Sequence, residues 1–218
     1  MFKTVIFDLD GTLLNTLEDL ADCANALCKE KGWPTHTLEE YRYFVGYGMP
    51  KFVEKLSPED KRTPDVLKDT IREYVAIYNV HKEDKTSTYP GILKLLERLK
   101  KEGIKIGVLT NKDNEPSQAV VEHYMPGLTD KVRGRVDKVA PKPDPAGLFA
   151  IMKALDASFD STLFVGDSDV DIKTAKNGSL PVCGVLWGYR NRDELIKAGA
   201  DFIASDTDEL FKIIVNNP

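Results

Sequence analysis

The chain has 218 residues, 42% of them hydrophobic and 30% charged, and its 30 basic and 35 acidic side chains leave a net charge of −5. That length suits one domain with a large insert or two small domains, and the acidic balance argues against nucleic acid as the main partner, because phosphate backbones demand clustered positive charge. No apolar run approaches the ~20 residues that span a bilayer, no secretory leader precedes the first apolar strand, and Cys23, Cys28 and Cys183 show neither metal nor CxxC spacing, so a cytoplasmic protein with reduced thiols is expected.

The first element is Thr4-Val-Ile-Phe7, continuously apolar and built of strand formers, which predicts a strand covered on both faces. It ends in Asp8-Leu9-Asp10-Gly11-Thr12, a run that cannot continue a buried strand. A helix follows from about Leu17 to Lys31, stopped by Gly32 and Pro34. From Thr35 to Asp84 the apolar residues recur only at helical spacing. Tyr41, Phe44 and Val45 come first, then Phe52, Val53 and Leu56, then a stripe of Leu67, Ile71, Tyr74, Val75 and Tyr78. The run Gly46-Tyr-Gly48-Met49-Pro50 is expected to be a loop between these helices.

After Pro90-Gly91 the pattern changes. Helix Ile92 to Glu102 leads to strand Ile104 to Leu109, which ends at Thr110-Asn111. Helix Pro116 to Tyr124, the segment Lys142-Pro143, helix Pro145 to Leu155 and strand Thr162 to Val165 come next, ending at Gly166-Asp167. Helix Val170 to Asn177, strand Val182 to Trp187, helix Asp193 to Lys197, strand Phe202 to Ala204 and helix Glu209 to Val215 complete the chain. Buried strands alternating with helices predict a parallel sheet of the α/β class, with the first strand in the same sheet and the helical segment as an insert.

Ligands of open parallel sheets bind beyond the carboxyl ends of the strands. Three strands here end in polar residues: Asp8 and Asp10, Thr110 and Asn111, and Asp167 with Asp171 just after it. Two residues apart in extended chain, Asp8 and Asp10 are expected on one side. Carboxylates so close repel unless a cation lies between them, and oxygen donors suit magnesium. Lys142, held in a stiff Pro-Lys-Pro-Asp-Pro run, would bring one positive charge. Taken singly, each feature is an ordinary turn or helix cap; their coincidence at successive strand ends is what argues for a site. Asp167-Ser-Asp-Val-Asp171 starts like a calcium loop, but Ile172 and Gly178 stand where that loop needs glycine and glutamate. His36, His81 and His123 have no partner at ligand spacing and are expected to be structural.

The four motifs Asp8-Leu-Asp10-Gly-Thr12, Thr110-Asn111, Lys142-Pro143 and Gly166-Asp167-Ser-Asp-Val-Asp171, in this order, resemble the haloacid dehalogenase superfamily, specifically its phosphoglycolate phosphatase-like branch. The resemblance covers essentially the whole chain. It implies a Rossmann-like parallel-sheet core, residues 1–15 and 87–218, with an inserted all-helical cap, residues 16–86. It also implies a magnesium-dependent phosphatase acting on a small phosphate ester through an aspartyl-phosphate. Asp8 would be the nucleophile and Asp10 the general acid/base. Thr110, Asn111 and Lys142 would hold the phosphoryl group. Asp8, Asp10 (through its carbonyl) and Asp167 would bind Mg2+, and Asp171 would support the metal's water shell.

The cap would close as a lid on hinges near Asn15-Thr16 and Thr86 to Pro90, with Gly46, Gly48 and Met49 as candidate substrate contacts. Asn15-Thr16 stands where this branch often has Asp-Ser. A pyrophosphatase, a sugar-phosphate mutase, or a non-catalytic phosphate-binding regulator on the same scaffold are the alternative readings. No heptad pattern distinguishes monomer from dimer.

Overall fold

In the computed structural model, residues 1–216 are described. They divide into two compact units, Met1–Leu14 with the chain from Thr88 onward, and Asn15–Ser87.

The first unit, the sheet unit, contains β1 (Thr4–Phe7), α5 (Ile92–Lys101), β4 (Lys105–Asp113), α6 (Asn114–Tyr124), β5 (Lys131–Arg135), α7 (Ala146–Ala154), β6 (Thr162–Gly166), α8 (Asp169–Asn177), β7 (Val182–Val185), α9 (Arg192–Ala198), β8 (Phe202–Ala204) and α10 (Thr207–Asn216). The second, the helical unit, contains α1 (Leu17–Glu30), α2 (Leu38–Phe44), α3 (Met49–Leu56) and α4 (Pro64–His81). The two passages of chain between the units, β2 (Leu14–Asn15) and β3 (Ser87–Thr88), pair as a two-stranded sheet.

Six parallel strands form the sheet in the order β5-β4-β1-β6-β7-β8. All four β1 residues are buried because the strand is covered on both faces. Side chains alternate across a strand, so Val5 and Phe7 pack with Leu95, Leu99, Val121 and Leu210 on one face. Ile6 packs on the other with Leu148, Ile151, Ile172 and Leu195. Burying each large apolar side chain contributes about 1.5–3 kcal/mol, which fixes the register of the strand that delivers Asp8.

Several boundaries differ from the sequence reading: β7 stops at Val185 rather than Trp187, and three further differences bear on the site or the helical unit. β4 runs on past Leu109 to Asp113, but its pairing with β5 shifts between those residues, so Thr110 and Asn111 sit on an irregular stretch rather than beyond the strand. β5 was not expected: Lys-Val-Arg-Gly-Arg has no apolar run, because an edge strand needs to bury only part of its length. Met49 and Pro50 lie in the first turn of α3, not in a loop, because proline's missing N–H costs nothing there.

In the helical unit the aromatic rings make the core. Tyr41, Phe52, Tyr74 and Tyr78 follow one another at ring separations of 5.9, 5.1 and 5.8 Å. The buried stripe of α4 is Thr70, Tyr74 and Tyr78, with Leu67, Ile71 and Val75 along its margins. His36 is structural: its main chain is held by Asn25 at 2.9 Å and its Nε2 lies 3.2 Å from the Leu56 carbonyl.

Candidate active site

Asp8 extends β1 by one hydrogen bond, its N–H donating to the Val165 carbonyl at 2.9 Å. The chain then turns sharply: the Leu13 and Leu14 N–H groups both donate to the Leu9 carbonyl, and Gly11 takes φ +90°. Only glycine fits at this point, since a Cβ there would strike the Asp167 carboxylate. Asp167 itself follows β6, and Ser168 caps α8 by a capping box: its N–H and Oγ donate to Asp171 Oδ2 at 3.1 and 2.7 Å.

Asp8, Asp167 and Asp171 are all buried, and each offers an oxygen within 4.8 Å of the others. Lys142 Nζ lies 2.8 Å from Asp8 Oδ1 and 2.6 Å from Asp171 Oδ1, with almost none of it exposed. Asn111 holds the lysine's main chain from both sides, its Nδ2 donating to the Lys142 carbonyl at 3.0 Å and its Oδ1 accepting from the Lys142 N–H at 2.8 Å. The first and fourth motifs therefore meet at the Lys142 ammonium, while the second, through Asn111, holds that lysine's main chain. Thr110 is buried and accepts from the Lys112 N–H at 3.2 Å.

The electrostatics follow from crowding. Burial first, then the neighbouring Asp171, raises the Asp8 carboxyl well above its ordinary range, with Lys142 pulling the other way. Burial and Asp171 push Asp167 up to about 7, against the Tyr189 N–H, Thr12 and Arg190, which lower it. Burial would lower the Lys142 ammonium, but Asp171 and Asp8 outweigh it and raise it, so the lysine stays charged. When ionised, the three carboxylates still outnumber the cations that act on them, the Lys142 ammonium and Arg190 beside Asp167. All-oxygen donors with uncompensated negative charge fit a hard divalent cation.

Two expected residues sit differently from the simple picture. Asp10 is outside the carboxylate group: β1 ends at Phe7, alternation is lost in the turn, and the Asp10 carboxylate lies 3.5 Å from Lys112 Nζ. Both oxygens of Asp171 are already engaged, one by Lys142 and one by Ser168. Gly46 and Gly48, with φ +115° and +84°, precede α3 in the helical unit, and Met49 is its first residue. The cysteines are buried and unpaired with one another, and burial pushes the Cys23 thiol up to about 11.

Several residues escaped the sequence reading. Thr12 Oγ1 donates to Asp167 Oδ1 at 3.0 Å, and the Tyr189 N–H to Asp167 Oδ2 at 2.8 Å. Trp187 Nε1 donates to the Thr12 carbonyl at 2.9 Å. A Cβ on Gly188 would overlap both Asp167 and the Gly11 carbonyl. The segment after β7 thus clamps Asp167 against the Asp8 turn. Its only signal in the sequence was a glycine between two aromatic residues at a strand end, which is too common to single out.

Residues 5–185 match the haloacid dehalogenase-like hydrolase family, and the chain belongs to that family. It is 34% identical over 215 residues to a phosphoglycolate phosphatase of Rhodospirillum rubrum, covering 94% of this chain and 88% of that one. A phosphoglycolate phosphatase of Aquifex aeolicus is 30% identical, covering 99% and 98%. A crystal structure from Lactobacillus delbrueckii subsp. bulgaricus, provisionally named a phosphoglycolate phosphatase, superposes with a TM-score of 0.93 at 29% identity, covering 99% of both chains. Within its family the protein is an enzyme of the phosphoric monoester hydrolase class. Among the described residues, no helix is long and apolar enough to cross a membrane.

Proposed function

We propose that this enzyme is a magnesium-dependent, cytoplasmic phosphatase that hydrolyses a small phosphomonoester of the phosphoglycolate type through an aspartyl-phosphate on Asp8. The observation that carries the reading is the buried group of Asp8, Asp167 and Asp171 gathered round the Lys142 ammonium. The names of the two relatives direct the choice of substrate.

In the first step an Asp8 oxygen attacks phosphorus, the bond to the ester oxygen breaks, and Asp10 gives its proton to the leaving alkoxide. In the second, Asp10 takes a proton from water, the water oxygen bonds to phosphorus, and the bond to Asp8 breaks, returning the carboxylate and free phosphate. Thr110 and the Asn111 main chain orient the phosphoryl oxygens, and Lys142 offsets their charge at no cost of reorganisation, since its carboxylate partners already hold it in place. Mg2+ would be held by Asp8, Asp167 and the Asp10 carbonyl, with Asp171 supporting its water shell, and would neutralise the charge of a carboxylate meeting a phosphate. Residues 16–86 would act as the cap, with Gly46, Gly48 and Met49 toward the substrate and the chain near Asn15-Thr16 and Thr86 to Pro90 as hinges.

Phosphate release from a panel of esters, including phosphoglycolate and pyrophosphate, with Mg2+ and with EDTA, tests this reading. Metal-dependent release from a small monoester, with a phosphorylated Asp8 peptide trapped by acid quench, is the expected result. Release that persists in EDTA, or conversion of a sugar phosphate to its isomer without free phosphate, would overturn it.

A further inference from the structure

We infer that Lys112 determines specificity by selecting esters whose leaving group carries a carboxylate next to the ester oxygen; this rests on the proposed role of Asp10 as the acid. Two lysines stand at the site, and the structure holds them differently. Lys142 makes contacts of 2.8 and 2.6 Å with two carboxylates. Lys112 Nζ lies 3.5 Å from Asp10 Oδ1. Both side chains are largely enclosed, 11% exposed for Lys112 and 14% for Asp10, so solvent screens this cation little.

The backbone places Lys112 deliberately. It follows Thr110 and Asn111 on the irregular end of β4, and its N–H is tied to Thr110 Oγ1 at 3.2 Å. Thr110, Asn111 and Lys112 are therefore consecutive on one stretch of β4. An acid that protonates the leaving oxygen must touch it. A cation beside that acid is then near the first atoms of the leaving group, not near the phosphoryl oxygens. A carboxylate two bonds from the ester oxygen would fall within reach of the flexible lysine stem. A neutral group at that place gains nothing from the charge.

The test uses two esters of equal length, phosphoglycolate and 2-hydroxyethyl phosphate, which differ only in carboxylate against hydroxymethyl. Their leaving alcohols make similar demands on the acid, so a defect acting through Asp10 harms both alike. Steady-state kinetics with Mg2+ are compared for the wild type, Lys112→Met and Lys112→Arg, with folding checked by circular dichroism. We expect Lys112→Met to lower kcat/KM for phosphoglycolate by about 10- to 100-fold, the worth of one charge-assisted contact. The neutral ester should change by less than about threefold, and Lys112→Arg should recover most of the loss, because it restores the charge. Equal losses on both esters, or a wild type that prefers the neutral ester, would overturn the inference while leaving the phosphatase reading intact. A wild type that hydrolyses neither ester would overturn the proposed substrate class, and the inference with it.

Discussion

Asp19 in the helical unit and Asp8 and Asp167 in the sheet unit are buried to a similar degree, at 2%, 5% and 1% exposure. Asp19 is surrounded by donors. The Lys85 N–H reaches both its oxygens at 3.0 and 3.1 Å, and the Thr86 N–H and Oγ1 donate at 2.8 and 2.7 Å. That carboxylate ties α1 to the last residues of its own unit, and its charge is satisfied in place. Asp8 and Asp167 instead face a third carboxylate within 4.8 Å, with one ammonium among them, and the two donors Asp167 does have, Thr12 Oγ1 and the Tyr189 N–H, do not outweigh that crowding. A buried charge fully met by donors stabilises a fold; buried charges of one sign held together store an unmet demand for a cation or a proton. The difference separates a structural acid from reactive ones more clearly than burial does.

The comparison can be broken most sharply at Asp8. Asp8→Asn should reduce turnover at least about a thousandfold, as loss of a nucleophile does, while the circular dichroism spectrum is kept. Near-normal turnover would show that the crowded carboxylate is not the reactive one.

Asp19→Ala should act on stability instead. It strands three buried or half-buried donors, at a cost of about 2–4 kcal/mol. Trp33 lies in the helical unit and Trp187 in the sheet unit, so urea melts of single-tryptophan variants read the two separately. An equal shift at both reporters would mean that Asp19 is not specific to its unit.

A third effect is smaller. Gly188→Ala should push Asp167 away from the Asp8 turn and weaken Mg2+ by about 10- to 100-fold, as loss of a supporting contact does at other metal sites. Calorimetric titration with Mg2+ measures this without turnover, and unchanged affinity would show the clamp to be passive.

The last concerns pH in metal-free protein. Asp167 holds its proton up to about 7 in the folded state against an ordinary value of 3.8, and Asp8 shifts the same way. The folded state therefore binds protons more tightly than the unfolded chain. This contribution is fully present below about 3.8 and is lost as pH climbs through about 7. In EDTA the Tm should fall between pH 5 and pH 8, and Asp167→Asn should flatten the slope. A Tm that rises over that range would contradict the crowding.

Much of this was readable in the sequence because the strands that carry the site are buried on both faces. Continuous apolar runs such as Thr4-Val-Ile-Phe7 and Leu163-Phe-Val165 admit few other readings, and polar residues at their ends stand out. β5 was missed because an edge strand is exempt from that pattern. Within the site, Asp8, Asn111, Lys142, Asp167 and Asp171 announced themselves by position after a strand or by motif. Lys112 and Gly188 did not, since one acts across a distance of 102 residues in sequence and the other by having no side chain at all. Spacing along a chain cannot report either property.

The central position of β1 bears on how the protein is made. Thr4 pairs with Lys105 on one side and with Thr162 on the other. The strand that presents Asp8 is synthesised before either of its neighbours, and both of them come much later. The helical unit, drawn from one continuous stretch of chain, has all its contacts available before either neighbour is synthesised. Local contacts form fast and distant ones slowly, so assembly is expected to begin with the insert. The acidic centre then comes together only after β6 has emerged, which keeps the nascent chain from gathering three like charges until the sheet that restrains them is in place.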